Sequence, residues 1–216
     1  MSKSKIFYIV GLIILCFNFI GMFTRIPILG ELLSLINIGF VVTFLSINFV
    51  WSIFRFQTQI SKEKGKLLFT LPIKSHEFIL AKIIEFILIQ GFIVFITMLM
   101  TLISGNSLRD LVNLSSTAVM YGTIIAYVII TSFIVIFSSY INNTALCVLA
   151  VVLGGSIIQG LVEGIIRIVT NFLPYIYIKI GTFIEIDLIH SILSLAWIIC
   201  IVYLAIYHLD KELDII

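Results

Sequence analysis

Few residues in this sequence have the type and spacing to do chemistry. Ser156, in "GGSII", and His190 would be the members of a serine–histidine dyad. In such a dyad the imidazole takes the hydroxyl proton and frees the oxygen as a nucleophile, which requires direct contact in a wet pocket. Gly65-Lys66 is the pair at the heart of phosphate-binding loops. Here Leu67 follows instead of serine or threonine, and no glycine stands five residues before Gly65, so the backbone cradle for a nucleotide is missing. Glu163 and Arg167 are spaced i, i+4 and would form a local ion pair on a helix, and Lys82 and Glu85, at i, i+3, would do the same. Cys16, Cys147 and Cys200 each lie inside an apolar run, at no metal-binding spacing, and read as small hydrophobes. The expectation is a chain with no catalytic and no metal-ligating residues.

The elements that position these residues are greasy. Of 216 residues 61% are apolar and 11% charged, with a mean hydropathy of +1.25. A soluble domain carries about a quarter charged residues. Too little polar surface is present to coat a globule in water, so the composition points to an integral membrane protein. The net charge of +2 gives no argument for nucleic acid.

Roughly 20 mostly apolar residues cross a bilayer as a helix. Six stretches qualify: Ile6–Phe23, Leu32–Phe54, Phe78–Ile103, Leu111–Ser138, Thr144–Leu161 and Leu188–Leu209. The first resembles a signal peptide in its basic start, but its apolar run of about 18 residues is long for one and no small-residue cleavage site follows. It is read as a membrane helix. With a cytosolic N-terminus, the inner side carries Lys3, Lys5, Arg55, Lys62, Lys64, Lys66, Lys74, Lys82 and Lys211, and the outer side only Arg25, Arg109, Arg167 and Lys179. The positive-inside bias therefore predicts that both termini are cytosolic. The expected fold is an all-α integral membrane protein, one domain over residues 1–216. Gly164–Asp187, between the last two helices, is apolar but broken by Asn171, Pro174 and Gly181. It predicts a short outer helical segment, partly re-entrant or lying in the membrane interface, with Tyr175 and Tyr177 at headgroup level.

The longest water-compatible stretch is "QISKEKGKLLFTLPIKSHEF", Gln59–Phe78. Phe56, Ile60, Leu67 and Leu71 fall near one helical face, Gly65 weakens a continuous helix, and Pro72 ends whatever precedes it. Ser75 is a fitting N-cap for the next helix and Glu77 suits its first turn. The predicted shape is an elbow, a short helix across the inner face followed by a turn back into the membrane. Its leucines would either dip into lipid or dock in a groove on a soluble partner.

"EKGKLLFTLPIKSHEFILAKIIEF" resembles the first cytoplasmic loop of type 2 ATP-binding cassette (ABC) permeases. In that family an acidic–Gly–Leu–Leu–x–x–Pro pattern follows the second helix. Here those positions are Glu63, Gly65, Leu67, Leu68, Leu71 and Pro72, with Lys82 at the start of the next helix. The motif covers about a tenth of the chain, and the six helices and cytosolic termini match as well. Many members carry a large extracellular region or a fused ATPase, and these residues contain neither. The resemblance implies that the loop is a coupling helix, in which Glu63, Lys64, Gly65, Lys66, Leu67, Leu68, Leu71 and Pro72 contact a separate ATPase subunit. Two ATPase copies would supply ATP and magnesium, and this chain would hold no cofactor itself. It also implies a second permease chain, expected to be identical, and a cavity lined by the second and fifth helices.

Ser34, Asn37, Asn48 and Ser52 lie within a stripe of roughly 60° at about 100° per residue, beside Val41 and Phe44. They read either as interhelical hydrogen-bonding groups or as the lining of a substrate path; the resemblance favours the path. Ser156, Gly160 and Gly164 recur every fourth residue, a small-residue face for packing within the chain or between two chains. The stripe carries no charge except Arg55 at its inner end, which suits a hydrophobic or amphipathic cargo. The expected function is an exporter of such a cargo, best a membrane-active peptide as in Gram-positive bacteriocin exporters, in the plasma membrane of a bacterium. The alternative is a substrate-capturing membrane subunit of an importer with a separate energising module. Such subunits dock through small residues on the first helix, where this chain has only Gly11 and Gly21. Membrane proteolysis is disfavoured, because "GGSII" lacks the glycine that rhomboid-like proteases place after the serine.

Overall fold

The structure is a computed structural model, and it describes residues 9, 11–13, 16, 27–60, 74–103, 115–141, 143–174, 176–180 and 184–213. Among these the chain is almost entirely helical. The helices are α1 (Pro27–Ile60), α2 (Ser75–Ile103), α3 (Ser115–Tyr140), α4 (Thr144–Asn171) and α5 (Leu188–Leu213). A two-stranded sheet, β1 (Tyr177–Ile180) and β2 (Ile184–Asp187), separates the last two helices. The five helices coincide with the second to sixth predicted membrane segments. Of the first, Ile9, Gly11–Ile13 and Cys16 are described, and all are helical. Among the described residues four helices are long and apolar enough to cross a membrane: Ser75–Ile96, Val119–Tyr140, Ala145–Asn171 and Leu188–Lys211.

Large apolar side chains cover the outside of these helices. On α4, Leu153, Ile157, Leu161, Ile165 and Ile168 are all exposed, a stripe at three- and four-residue spacing. Water would penalise a surface of this kind, and a bilayer covers it at no cost.

Two expectations about boundaries change. The second predicted helix does not stop at Phe54; α1 continues to Ile60 because Phe56 and Ile60 are buried in the core. The fifth does not stop at Leu161; α4 continues to Asn171, since Glu163 and Arg167 stand one turn apart and pair instead of breaking the helix. Helix starts are capped by side chains where the sequence supplies an acceptor. Asn143 Oδ1 accepts from Ala145 N at 2.9 Å, and Asp187 Oδ1 accepts from Ile189 N at 3.0 Å. Ser75 is not such a cap. It is the first helical residue, its Oγ is buried without a partner among the described residues, and the preceding Lys74 carbonyl accepts from Phe78 N at 3.1 Å.

The predicted outer segment is helical only through Asn171, where α4 ends; its second part, expected as helix, forms two paired strands instead. The register pairs Tyr177 with Asp187, Ile178 with Ile186, Lys179 with Glu185 and Ile180 with Ile184. The physical reason is local: "YIKI" and "IEID" alternate β-branched isoleucine with polar or aromatic residues, the period of a strand rather than a helix.

The backbone divides into two compact units, Met1–Ser52 with Ile84–Ile125, and Ile53–Ile83 with Ala126–Ile216. The first holds a small core of Val41, Leu45, Ile93 and Val94, against which Phe44, Ile89 and Val119 pack. The second holds a larger one, drawn from all five helices and centred on Phe56, Phe78, Phe133, Cys147, Val151, Ile201 and Ala205.

Candidate functional site

The proposed ATPase-contact residues, Glu63, Lys64, Gly65, Lys66, Leu67, Leu68, Leu71 and Pro72, lie outside the described residues. Their base is described. Phe56, near the end of α1, stacks on Phe78 in the first turn of α2, with ring centroids 6.0 Å apart. Its edge meets Tyr127 of α3 at 6.5 Å. The two helix ends that flank residues 61–73 are thereby tied to one aromatic cluster, because an aromatic ring buries a large area and pairs edge-on or offset with its neighbours. One detail of the sequence reading is corrected. Phe56 and Ile60 are buried in the chain's own core, so they do not extend the apolar face that was grouped with Leu67 and Leu71.

The polar stripe of α1 is mixed. Asn48 is 0% exposed, packed wholly inside the first unit. Phe44 and Ser52 are half-buried, and Ser34 and Asn37 lie on α1 outside the described side chains. Leu45 shares the Asn48 face three residues earlier, and its carbonyl accepts a hydrogen bond from Gln90 Nε2 of α2 at 3.3 Å. The same Nε2 lies 3.4 Å from Thr123 Oγ1 of α3, which itself donates to the Met120 carbonyl at 2.9 Å. Gln90 is also 0% exposed, and its Oε1 accepts from no described residue. Three helices therefore meet at a polar node. The sequence reading passed over Gln90, although one glutamine in the run "IIEFILIQGFIVF" was a sufficient signal, since polar residues at membrane depth seldom face lipid.

On the described part of the first predicted helix, Gly11 backs onto Phe44, and a methyl added there would fall on the ring. The close approach is made within the chain.

Helix α4 presents two small-residue faces. Gly154 and Gly155 sit against Phe137 and Phe133 of α3, where an added Cβ would lie 3.1 and 3.2 Å from the rings. The face picked out in the sequence is the other one. Ser156 and Gly160 are exposed, and a Cβ at Gly160 or Gly164 would have nothing described within 4 Å. Ser156 Oγ donates to the Val152 carbonyl of its own helix.

A polar seam joins α4 to α5. Trp197 Nε1 donates to Gln159 Oε1 at 2.9 Å. One turn further along α4, Glu163 Oε1 lies 3.5 Å from Arg167 Nε and 3.4 Å from His190 Nε2. Gln159, Glu163 and Arg167 follow at four-residue intervals and so share a face. The predicted Glu163–Arg167 pair forms, and His190 joins it. Ser156 and His190 are not brought together, since His190 meets Glu163, about 10 Å along the helix axis from Ser156 at 1.5 Å per residue. Among the described residues no cluster of three His, Cys, Asp or Glu side chains could hold a metal ion. No protein-family model, curated protein or solved structure matches the chain.

Proposed function

We propose that this chain is the membrane-spanning subunit of an exporter driven by a separate ATPase. Two copies of the chain would pair in the plasma membrane and bind two ATPase subunits at the inner face. The observation that carries the reading is the Glu63–Pro72 motif between α1 and α2, with its acidic–Gly–Leu–Leu–x–x–Pro order and flanking lysines. The aromatic tie between Phe56, Phe78 and Tyr127 supports it, because a push on the elbow would reach α1, α2 and α3 together through a packed core rather than being lost in a loose loop. The Ser156–Gly160–Gly164 face supports pairing, since Ser156 and Gly160 are exposed, a Cβ at either glycine would meet nothing described within 4 Å, and small residues let a second helix approach closely in lipid. The cargo is a hydrophobic or amphipathic molecule, best a membrane-active peptide, passing along the uncharged α1 stripe of Ser34, Asn37, Phe44, Asn48 and Ser52.

The test is co-purification with the ATPase encoded beside this chain, comparing the wild type with the Glu63→Arg/Leu68→Asp variant. The expected result is a stable complex that the variant loses. Absence of a complex with any ATPase overturns the reading. A complex indifferent to the variant removes the elbow from the contact.

A further inference from the structure

Gln90 carries an oxygen to which no described residue donates. Its side chain is 0% exposed where α1, α2 and α3 meet, and Oε1 is buried with the rest of it. The two protons of Nε2 are both placed, one toward the Leu45 carbonyl at 3.3 Å and one toward Thr123 Oγ1 at 3.4 Å. Turning the amide over gives no better arrangement, because Oε1 would then face the Leu45 carbonyl, acceptor against acceptor. A buried polar atom of this kind is almost always met by a protein group or by ordered water. Thr123 Oγ1 is also open. A hydroxyl donates one bond and accepts two. This one donates to the Met120 carbonyl at 2.9 Å and accepts from Gln90 Nε2, which leaves its second lone pair.

The chemistry of this node selects its ligand. The ligand must donate hydrogen bonds, since both open positions accept. It must be neutral. Gln90 stands six residues inside the end of the span Ser75–Ile96, and Thr123 four residues inside the start of Val119–Tyr140, about 9 and 6 Å at 1.5 Å per residue. At that depth the oxygens of Gln90, Leu45, Thr123 and Met120 offer dipoles and no counter-charge, so a cation would be left uncompensated. It must be small. Val41, Leu45, Ile93 and Val94 close the core beside the node, each at most 4% exposed, and a cargo molecule cannot touch a side chain with no exposed surface. Room remains at the rim, where Thr123 and Met120 are half-buried and a Cβ on Gly91 or Gly122 would meet nothing described within 4 Å. Water meets all three conditions, and two polar partners are enough to hold it.

We propose that the Gln90 node is a binding site for a water molecule, which donates one proton to Gln90 Oε1 and the other to Thr123 Oγ1. The water completes the tie between α2 and α3, as a bridging water does nearly as well as a direct hydrogen bond. The inference rests on the packing of the first unit and holds with or without an ATPase.

The test is magic-angle-spinning NMR on the full chain, uniformly isotope-labelled, in phosphatidylcholine liposomes. Polarisation selected on water protons is followed as it spreads into the protein. The expected order is the Gln90 side-chain amide first, and the Ile93 and Val94 methyls of the same core later. Thr123→Val keeps the shape of the residue and removes the hydroxyl, and the early Gln90 signal should be lost with it. Thr123→Ser keeps the hydroxyl and should retain the signal, so the wild type and the serine variant decide the matter should the valine variant not fold. Simultaneous arrival at the amide and the methyls overturns the proposal. So does an early signal that Thr123→Val leaves unchanged, or one that Thr123→Ser abolishes. A contact from Gln90 Oε1 to a proton of protein or lipid in place of water overturns it as well.

Discussion

The two units hold themselves together by different means. In the second, the core is a convergence of five helices on apolar and aromatic side chains, with Phe56 stacked between α1 and α2 and glycines of α4 pressed against Phe133 and Phe137. In the first, the apolar core is small, and beside it three helices meet at Gln90, whose amide reaches the Leu45 carbonyl and Thr123. Lipid gives helices no hydrophobic reason to associate, so a membrane protein must use close packing or hydrogen bonds. Close packing dominates where Gly and Phe alternate across an interface. A hydrogen bond takes over where larger side chains keep the backbones apart, and it is the weaker tie, because one Gln90 oxygen is left without a described donor.

The sharpest way to break this contrast is Phe56→Ala. It empties the centre of the aromatic cluster and should lower stability by about 3–5 kcal/mol, read as a large loss of folded yield and thermal midpoint in detergent. A loss near 1 kcal/mol would mean that the cluster does not hold these helix ends together. Next is the pair Gly155→Leu and Gly160→Leu. The first overpacks the Phe133 contact and should cost about 1–3 kcal/mol. The second meets open space and should leave the folded monomer intact while reducing self-association on size-exclusion chromatography. Equal effects from the two would erase the distinction between the faces of α4. Gln90→Leu should change stability by less than about 1 kcal/mol, since the average interhelical bond in a bilayer is worth about 0.6 kcal/mol and the unpartnered oxygen disappears with it. A large loss would show the node to be a dominant support. The smallest effect is expected for Glu163→Gln, below about 0.5 kcal/mol by thermal melting, because Arg167 is 75% exposed and solvent screens the pair.

How much could be read ahead of the fold depends on the length scale of each signal. The long apolar runs were legible because 20 residues of one character outweigh any local ambiguity, and α1 to α5 fall where those runs lie. The Glu163–Arg167 pair was legible because it depends on one helix alone. The hairpin was not, since strands of four residues inside an apolar stretch with Asn, Pro and Gly look like an interrupted helix until their register is known. Gln90 was visible in the chain, but its partners on α1 and α3 are 45 and 33 residues away. Gly154 and Gly155 were read only as neighbours of Ser156, because which face of α4 meets α3 depends on the rotation of the helix about its axis, which periodicity leaves open when both faces are small.

Composition determined that this chain is too apolar for water, and the order of its residues determined where its charges cluster and that its structure is built of helices long enough for a bilayer. The same order carries the acidic–Gly–Leu–Leu–x–x–Pro pattern of Glu63–Pro72 and the alternation that lets 177–180 and 184–187 form strands. Tertiary structure decided what each face meets: Phe56 and Ile60 in the core, Asn48 wholly buried, Gly155 against Phe133, Gly160 open, and His190 beside Glu163. The physical reason is that hydrophobicity is a property of residues counted singly, whereas a contact depends on the rotation and register of two elements, and those are set by the packing of the whole.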